Sequence, residues 1–454
     1  MLLLLTMSCS VLNIAVFKGD TYTKMAVTQR TGKNDKERII ITDRNLIPLT
    51  GTDERYGVSH PAEHLIGYTD GTGKGVSGIE AYIDENMTHL LYTKSAGLKD
   101  AKGNHIPNTN EENKKRYVKL TLDYHIQKIG ENVLDESGIT GALVVMDVES
   151  GDILAMVSRP GFDRNKVGEY IEQGGTELMN RAVAPYNAGS IFKIITASAA
   201  LEEESVYNDT LFFCGGSTPI DGIDFICHHR QGHGFLTLED AFASSCNCSF
   251  YNIGAGVGCD KICSYARKFG LGEVVLDKVI SESKGNIPTD TKGTASETAN
   301  ISIGQGEILI TPVQAAQAVC IIASGGKKRD VNIIEGIADE NGNIIHSARK
   351  NGETKILSES TANKIGAMMR MTTESGTGTG AESDVVAIAG KTGSAETGWQ
   401  TGNGYMVQGW YVGYFPYEKP KYALVVMTEN GRQGNASCGP IFKKTAEEIM
   451  KLNY

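Results

Sequence analysis

The 454-residue chain reads as α/β, with an antiparallel sheet closed by strands from both ends of its main domain. A small loop-rich, mostly β module and an N-terminal apolar segment precede that domain. Hairpin strands at either end predict the sheet, and the helical stretches between them predict its cover. Ala142-Leu-Val-Val-Met146 and Ile153-Leu-Ala-Met-Val157 flank Glu149-Ser150-Gly151-Asp152, the pattern of a β-hairpin. Near the C-terminus, β-like runs at Val385 to Ala389, Gly409 to Phe415 and Tyr422 to Met427 supply partner strands. A Pro-containing turn joins the last two.

The helices follow from spacing and punctuation. Leu122, Ile126, Ile129 and Val133 recur at helical intervals ahead of the hairpin. Thr311-Pro312 opens an Ala-rich helix that ends near Ser324-Gly325-Gly326, with proline in the first turn and glycine at the end. An amphipathic segment from Ile441 to Met450 finishes the chain. Residues 18 to about 115 are polar and rich in Gly, Thr, Asn and Lys, with short apolar runs such as Ile39-Ile40-Ile41. Gly71-Thr72-Gly73-Lys74-Gly75 lacks the Lys-Ser/Thr ending and the spacing of a phosphate loop, so it reads as a turn. The expected boundaries are 1–17, 18–115 and 116–454.

Composition narrows the function classes. An apolar share of 40% with 22% charged residues is ordinary for a globular protein with a large core. Net charge is −10 without a long basic run, which argues against a nucleic-acid partner. Met1 to Phe17 carries no charged side chain and reads as a truncated membrane anchor, at the short end for a spanning helix. No positive n-region marks it as a signal peptide. Nine cysteines without dense regular spacing do not describe a disulfide scaffold. Cys214 and Cys227 bracket a loop followed by His228, His229 and His233; a disulfide, free thiols and a zinc site all stay open there. No C-x-x-C pair supports the zinc reading, and no metal ligand set or cofactor is assigned.

The chemistry lies in three remote tripeptide-scale signals. Ser190-Ile191-Phe192-Lys193, Ser245-Cys246-Asn247 and Lys391-Thr392-Gly393-Ser394 follow one another as S-x-x-K, S-x-N and K-T-G. S-x-x-K alone is weak, since it also begins at Ser281, Ser324 and Ser347. Context separates them, because an apolar, Ala-rich helical stretch follows Ser190 alone. S-x-N and K-T-G each occur once, in order after it. On a helix Ser190 and Lys193 share a face. A serine hydroxyl needs a base, and Lys193 can serve if burial or a neighbouring cation such as Lys391 keeps its amine neutral. Ser245 can relay a proton and Asn247 can orient the lysine. Gly393 lets a substrate backbone approach, while Lys391, Thr392 and Ser394 suit a carboxylate. The N–H groups of Ser190 and Ser394 suit an oxyanion.

With these motifs the chain resembles the class B penicillin-binding proteins, membrane-anchored D,D-transpeptidases that cross-link peptidoglycan. Further matching stretches are Asn180-Arg181-Ala182, Gly232-His233-Gly234, Gly304-Gln305-Gly306, and Thr311 to Gln314. Val118 to Gln127 and Gly141 to Asn165 also match, so the resemblance covers roughly 116–454. Lys18 to Gln29, Arg38 to Asn45 and Ser77 to Glu80 resemble landmarks of the family's N-terminal pedestal, with Ile39 and Leu46 where relatives carry glycine. Ala188 stands where many relatives have proline.

The resemblance implies a penicillin-binding/serine β-lactamase-like transpeptidase domain with a helical subdomain. It also implies Ser190 acylation by D-Ala-D-Ala stem peptides or by β-lactams, an extracytoplasmic catalytic domain, and a glycan-polymerising SEDS-type membrane partner. The alternatives are a hydrolase (D,D-carboxypeptidase or β-lactamase) and a non-catalytic scaffold. A class A β-lactamase carries Glu-x-x-Leu-Asn between the second and third motifs. Here Glu282 and Glu359 have asparagine four residues on, but Gly285 and Ala362 replace the leucine.

Overall fold

Strand β1 (Ile40–Thr42) opens the described fold and lies parallel to β2 (Tyr117–Leu120). The structure, a computed structural model, describes residues 38–51, 55–56, 61–88, 115–207, 209–401, 404–429 and 434–452. Residues from Ile40 onward form one unit, distinct from those before it. Met1 to Phe17 and Lys18 to Gln29 lie outside the described residues. Among the described residues no helix is long and apolar enough to cross a membrane.

Helix α1 (Tyr124–Ser137) starts where Asp123 accepts hydrogen bonds from the His125 and Ile126 N–H groups, and it ends at Gly138 with φ 65°. The expected hairpin follows as β3 (Gly141–Asp147) and β4 (Ile153–Arg159). Helix α2 (Lys193–Glu202) carries the first motif. Beyond it come four short strands: β5 (Phe212–Cys214), β6 (Ser217–Ile220), β7 (Ile223–Ile226) and β8 (Gly234–Leu236). Helices α3 (Leu238–Ala243) and α4 (Asn247–Val257) bracket the second motif. Helix α5 (Pro312–Ala323) begins with a reciprocal capping box between Thr311 and Gln314. Strands β9 (Ile334–Ala338) and β10 (Ile344–Ser347) and helix α6 (Glu359–Glu374) lead to β11 (Ala389–Thr401), β12 (Gly404–Phe415) and β13 (Tyr422–Thr428). Helix α7 (Gly439–Met450) ends the chain.

The central sheet has the strand order β11-β12-β13-β3-β4, antiparallel throughout, so strands from both ends of the domain close it as expected. Alternate residues explain its position. Leu143, Val145, Leu424 and Val426 join Ile126, Leu134, Phe442 and Ile449 in one core beneath α1 and α7. Val144, Met146 and Val425 are equally buried on the other face, where α5 packs against β3 and β13. Strands covered on both faces read as unbroken apolar runs, which is how they appear in the sequence.

Two expectations need correction. Val385 to Ile388 is irregular rather than a strand; Val385 is exposed, and its N–H bonds to the Ser383 hydroxyl. The strand starts at Ala389, so K-T-G lies within it. The N-terminal module, read as mostly β, shows among its described residues one three-residue strand and the short helices Glu63–Ile66 and Gly78–Tyr82. Its strand joins a sheet of order β1-β2-β9-β10, pairing directly with residues beyond 116. Leu46 has φ 66°, in the left-handed region that favours glycine.

Candidate active site

Ser190 sits on a short 3-10 turn, Gly189–Phe192, that runs directly into α2. The sequence reading placed it on the α-helix itself. In a 3-10 turn, as in an α-helix, residues three apart face the same side. Lys193 donates its backbone N–H to the Ser190 carbonyl. Gly304, from Gly304-Gln305-Gly306, accepts the Gly189 N–H at 3.0 Å. Its φ is 70°, and a Cβ there would stand 2.3 Å from the Gly189 carbonyl oxygen. Glycine at 304 therefore has a physical cause: it lets a second loop brace the serine turn.

Lys193 is fully buried, and its amine meets the S-x-N segment. Its Nζ donates to the Ser245 carbonyl at 2.7 Å and to Asn247 Oδ1 at 2.7 Å, and lies 3.2 Å from Ser245 Oγ. Ser245 adopts φ 54°, sparsely populated for a non-glycine residue, which directs both its carbonyl and its hydroxyl at the lysine. Cys246 caps α4, placing Asn247 at the helix's first position. Burial pulls the Lys193 amine down to about 7, while the neighbouring thiols of Cys246, Cys227 and Cys248 pull it weakly upward. The Phe250 ring lies 5.2 Å from its Nζ.

Lys391 arrives from β11, also fully buried, with Nζ 3.0 Å from Ser245 Oγ and 3.1 Å from the Thr392 carbonyl. Burial first, and then the charge of Lys193, hold its amine well below the ordinary lysine range. β11 is the edge strand of the sheet and touches the serine turn. A Cβ at Gly393 would stand 2.9 Å from the Ile191 side chain, and one at Gly189 2.9 Å from the Ser394 carbonyl oxygen. The Ser394 hydroxyl accepts the Gly434 N–H at 3.0 Å, and the Thr392 hydroxyl pairs with that of Thr377 at 2.8 Å. All three remote motifs thus meet.

Several contributors escaped the sequence reading. Thr377, in the run Ser375-Gly-Thr-Gly-Thr-Gly380, ties K-T-G to the S-x-N side because its N–H bonds to the Ala243 carbonyl at 3.0 Å. Trp410 Nε1 donates to the Asn187 carbonyl, and Tyr186 donates its hydroxyl to Glu429 at 2.8 Å. Arg181, buried and paired with Glu429 at 2.9 Å, lies behind them. A Ser/Thr/Gly-rich run flags a tight loop but not its neighbour. Cys214 and Cys227 form no disulfide with each other and gather with His233 and Cys246 into one cluster. Glu282 accepts the Val275 and Leu276 N–H groups at 2.9 Å, and burial pushes its carboxyl up to about 7.

Comparison with known proteins identifies the family of the chain. Residues 141–450 match the penicillin binding protein transpeptidase domain family. The chain is 29% identical over 411 residues to stage V sporulation protein D of Bacillus subtilis, covering 86% of this chain and 62% of that protein. It is 29% identical over 444 residues to the peptidoglycan D,D-transpeptidase MrdA of Acinetobacter baumannii, covering 89% and 61%. The chain therefore spans about three fifths of the length of these relatives. The crystal structure of penicillin binding protein 3 from Mycobacterium tuberculosis, complexed with ampicillin, superimposes with a TM-score of 0.75 at 26% identity, covering 92% of this chain and 95% of that one. On a family match that takes in residues 141–450, the chain belongs to the penicillin-binding protein transpeptidases.

Proposed function

We propose that the chain is a peptidoglycan D,D-transpeptidase acting through a Ser190 acyl-enzyme. The observation that carries this is that Lys193 and Lys391 reach Ser245 Oγ at 3.2 and 3.0 Å while Lys193 also reaches Asn247 Oδ1 at 2.7 Å, beside the serine turn. A neutral Lys193 takes the Ser190 proton as Oγ bonds to the penultimate D-alanine carbonyl. The N–H groups of Ser190 and Ser394 hold the developing oxyanion. Ser245 passes a proton to the departing D-alanine nitrogen as the C–N bond breaks, and Lys391 supports the relay. A stem-peptide amine then attacks the ester carbonyl and gives its proton to Lys193, which passes it to Ser190 Oγ as the ester C–O bond breaks. Thr392 and Ser394, on the open edge of β11, suit the substrate carboxylate and backbone.

Penicillins enter the same path because the ring amide presents the equivalent carbonyl; the named relative complexed with ampicillin supports this. Neither glutamate that the sequence raised for hydrolysis is free to serve it. Glu282 is committed to the 275–276 backbone, and Glu359 begins α6. The uncharged run Met1 to Phe17 supports attachment to the cell membrane, and the family resemblance supports a catalytic domain outside it. A SEDS-type polymerase as partner rests on family resemblance.

Purified protein should be labelled covalently by a fluorescent penicillin, and Ser190→Ala should not be. Labelling that survives the substitution removes Ser190 from the mechanism. Rapid turnover of a chromogenic cephalosporin would favour the hydrolase.

A further inference from the structure

Cys214, Cys227, His233 and Cys246 place their ligand atoms all within 4.8 Å of one another. Cys227 Sγ lies 4.0 Å from Cys246 Sγ and 3.7 Å from His233 Nδ1. A tetrahedral zinc site with Zn–S near ~2.3 Å and Zn–N near ~2.0 Å has ligand–ligand edges of about 3.5–3.8 Å. A disulfide needs sulfurs roughly 2.05 Å apart, so the cluster is spaced for an ion and not for a bond. The sequence reading left zinc open at Cys214, Cys227 and the histidines without assigning a ligand set, for want of a C-x-x-C pair, and Cys246 figured there only within S-x-N.

The backbone builds this arrangement deliberately. Antiparallel pairing of β5 with β8 sets Cys214 opposite Gly234, next to His233. Cys227 follows the β6–β7 hairpin, and its N–H bonds to the Gly216 carbonyl. Two turns hold the loops too close for any side chain. A Cβ at Gly216 would stand 2.1 Å from the Arg230 carbonyl oxygen, and one at Gly232 2.4 Å from that of Cys214. Cys246 sits at the N-terminus of α4, where its sulfur accepts the Ser249 N–H at 3.5 Å.

The lobe from Phe212 to Leu236 buries little apolar surface of its own beyond Phe212. Phe213, Ile223 and Phe235 are 59, 61 and 73% exposed, while the buried cluster consists of Cys214, Cys227, Cys246, Cys248 and Ala241. A small lobe of short strands whose interior is thiols is the circumstance in which a structural ion replaces a core. Three sulfurs and one imidazole are soft donors that select zinc among common divalent ions, and a full set of four leaves no open position for chemistry.

The fourth ligand also connects this lobe to the active site. Cys246 lies between Ser245 and Asn247, the two residues that Lys193 Nζ contacts at 2.7 Å each. We propose that Cys214, Cys227, His233 and Cys246 bind a Zn²⁺ ion and that this ion positions Ser245 and Asn247 for acylation. Binding releases the thiol protons to water. The ion-binding half stands on its own, whereas the positioning half rests on the transpeptidase reading.

The test starts with the full chain, purified under reducing conditions, its metal measured by mass spectrometry and its acylation by a penicillin followed rapidly. About one zinc per chain is expected, lost in Cys214→Ser and in His233→Ala. Exchange with Co²⁺ should produce thiolate-to-metal absorption bands in the wild-type protein, which decides the matter even where a variant fails to fold. Chelator removal should lower the acylation rate constant at least about tenfold with the noncovalent penicillin affinity unchanged, and added Zn²⁺ should restore it. A fully reduced protein that takes up neither Zn²⁺ nor Co²⁺, or a mapped Cys227–Cys246 disulfide, overturns the site. Unchanged acylation in the metal-free protein overturns the positioning role. Absence of labelling in both metal states counts against the transpeptidase reading and leaves metal content to judge the site.

Discussion

Lys193 and Lys391 reach the same hydroxyl, their Nζ atoms 3.2 and 3.0 Å from Ser245 Oγ. Two buried amines on one oxygen cannot both be protonated without opposing each other, and burial already disfavours each charge. A serine relay between them therefore works with at least one neutral amine. This follows from burial and convergence together, since either alone would leave an ordinary ammonium.

The pH dependence of acylation follows directly. Burial depresses the Lys193 amine to about 7, so its basic form predominates above that pH and is lost below it. The rate constant for penicillin acylation should fall about tenfold per pH unit below 7 and level off above. Stopped-flow measurement from pH 5.5 to 9 checks this. A rate still climbing at pH 9 would mean that Lys193 behaves as an exposed lysine.

Asn247→Asp places a carboxylate where the amide oxygen now lies 2.7 Å from Lys193 Nζ. An opposite charge at that distance favours the ammonium by about 1–3 pH units. Acylation at pH 7 should drop at least about fivefold, and the deficit should be much smaller at pH 9. Equal loss at both pH values would indicate lost geometry instead of a shifted base.

Gly304→Ala and Gly306→Ala separate crowding from backbone strain. Both glycines have similar positive φ, 70° and 76°, yet a Cβ at 304 meets the Gly189 oxygen at 2.3 Å while one at 306 meets nothing nearer than 3.8 Å. Gly304→Ala should cost about 2–4 kcal/mol of stability and nearly abolish penicillin labelling, and Gly306→Ala about 1 kcal/mol. Thermal unfolding and labelling of the two variants side by side provide the check.

Thr377→Val removes the hydroxyl that pairs with Thr392 at 2.8 Å. Losing one such hydrogen bond, worth about 0.5–1.5 kcal/mol, should lower acylation efficiency roughly three- to tenfold with little change in melting temperature. Thr377→Ser should restore most of it. Failure of the serine variant to rescue would show that the methyl group, and not the hydroxyl, matters.

Much of this was legible in the chain. Apolar runs such as Ala142 to Met146 announced the strands of a hairpin, and Thr311-Pro312 ahead of an Ala-rich stretch announced a helix. Val385 to Ala389 misled because an irregular segment packing Val386 and Ile388 into the core shares the composition of a strand. The N-terminal module was harder still, since its one described strand pairs with residues beyond 116.

Local order along the chain was enough to name Ser190, Lys193, Ser245, Asn247, Lys391, Thr392, Gly393 and Ser394, because side-chain chemistry and spacing are written in the residues themselves. Folding alone decided that Lys193 is buried, that Thr377 meets Thr392, that Gly304 braces the serine turn and that Cys246 joins Cys214, Cys227 and His233. These depend on contacts between segments from 13 to more than 100 positions apart. Desolvation and close approach come into being when such segments pack, and no window of sequence contains them.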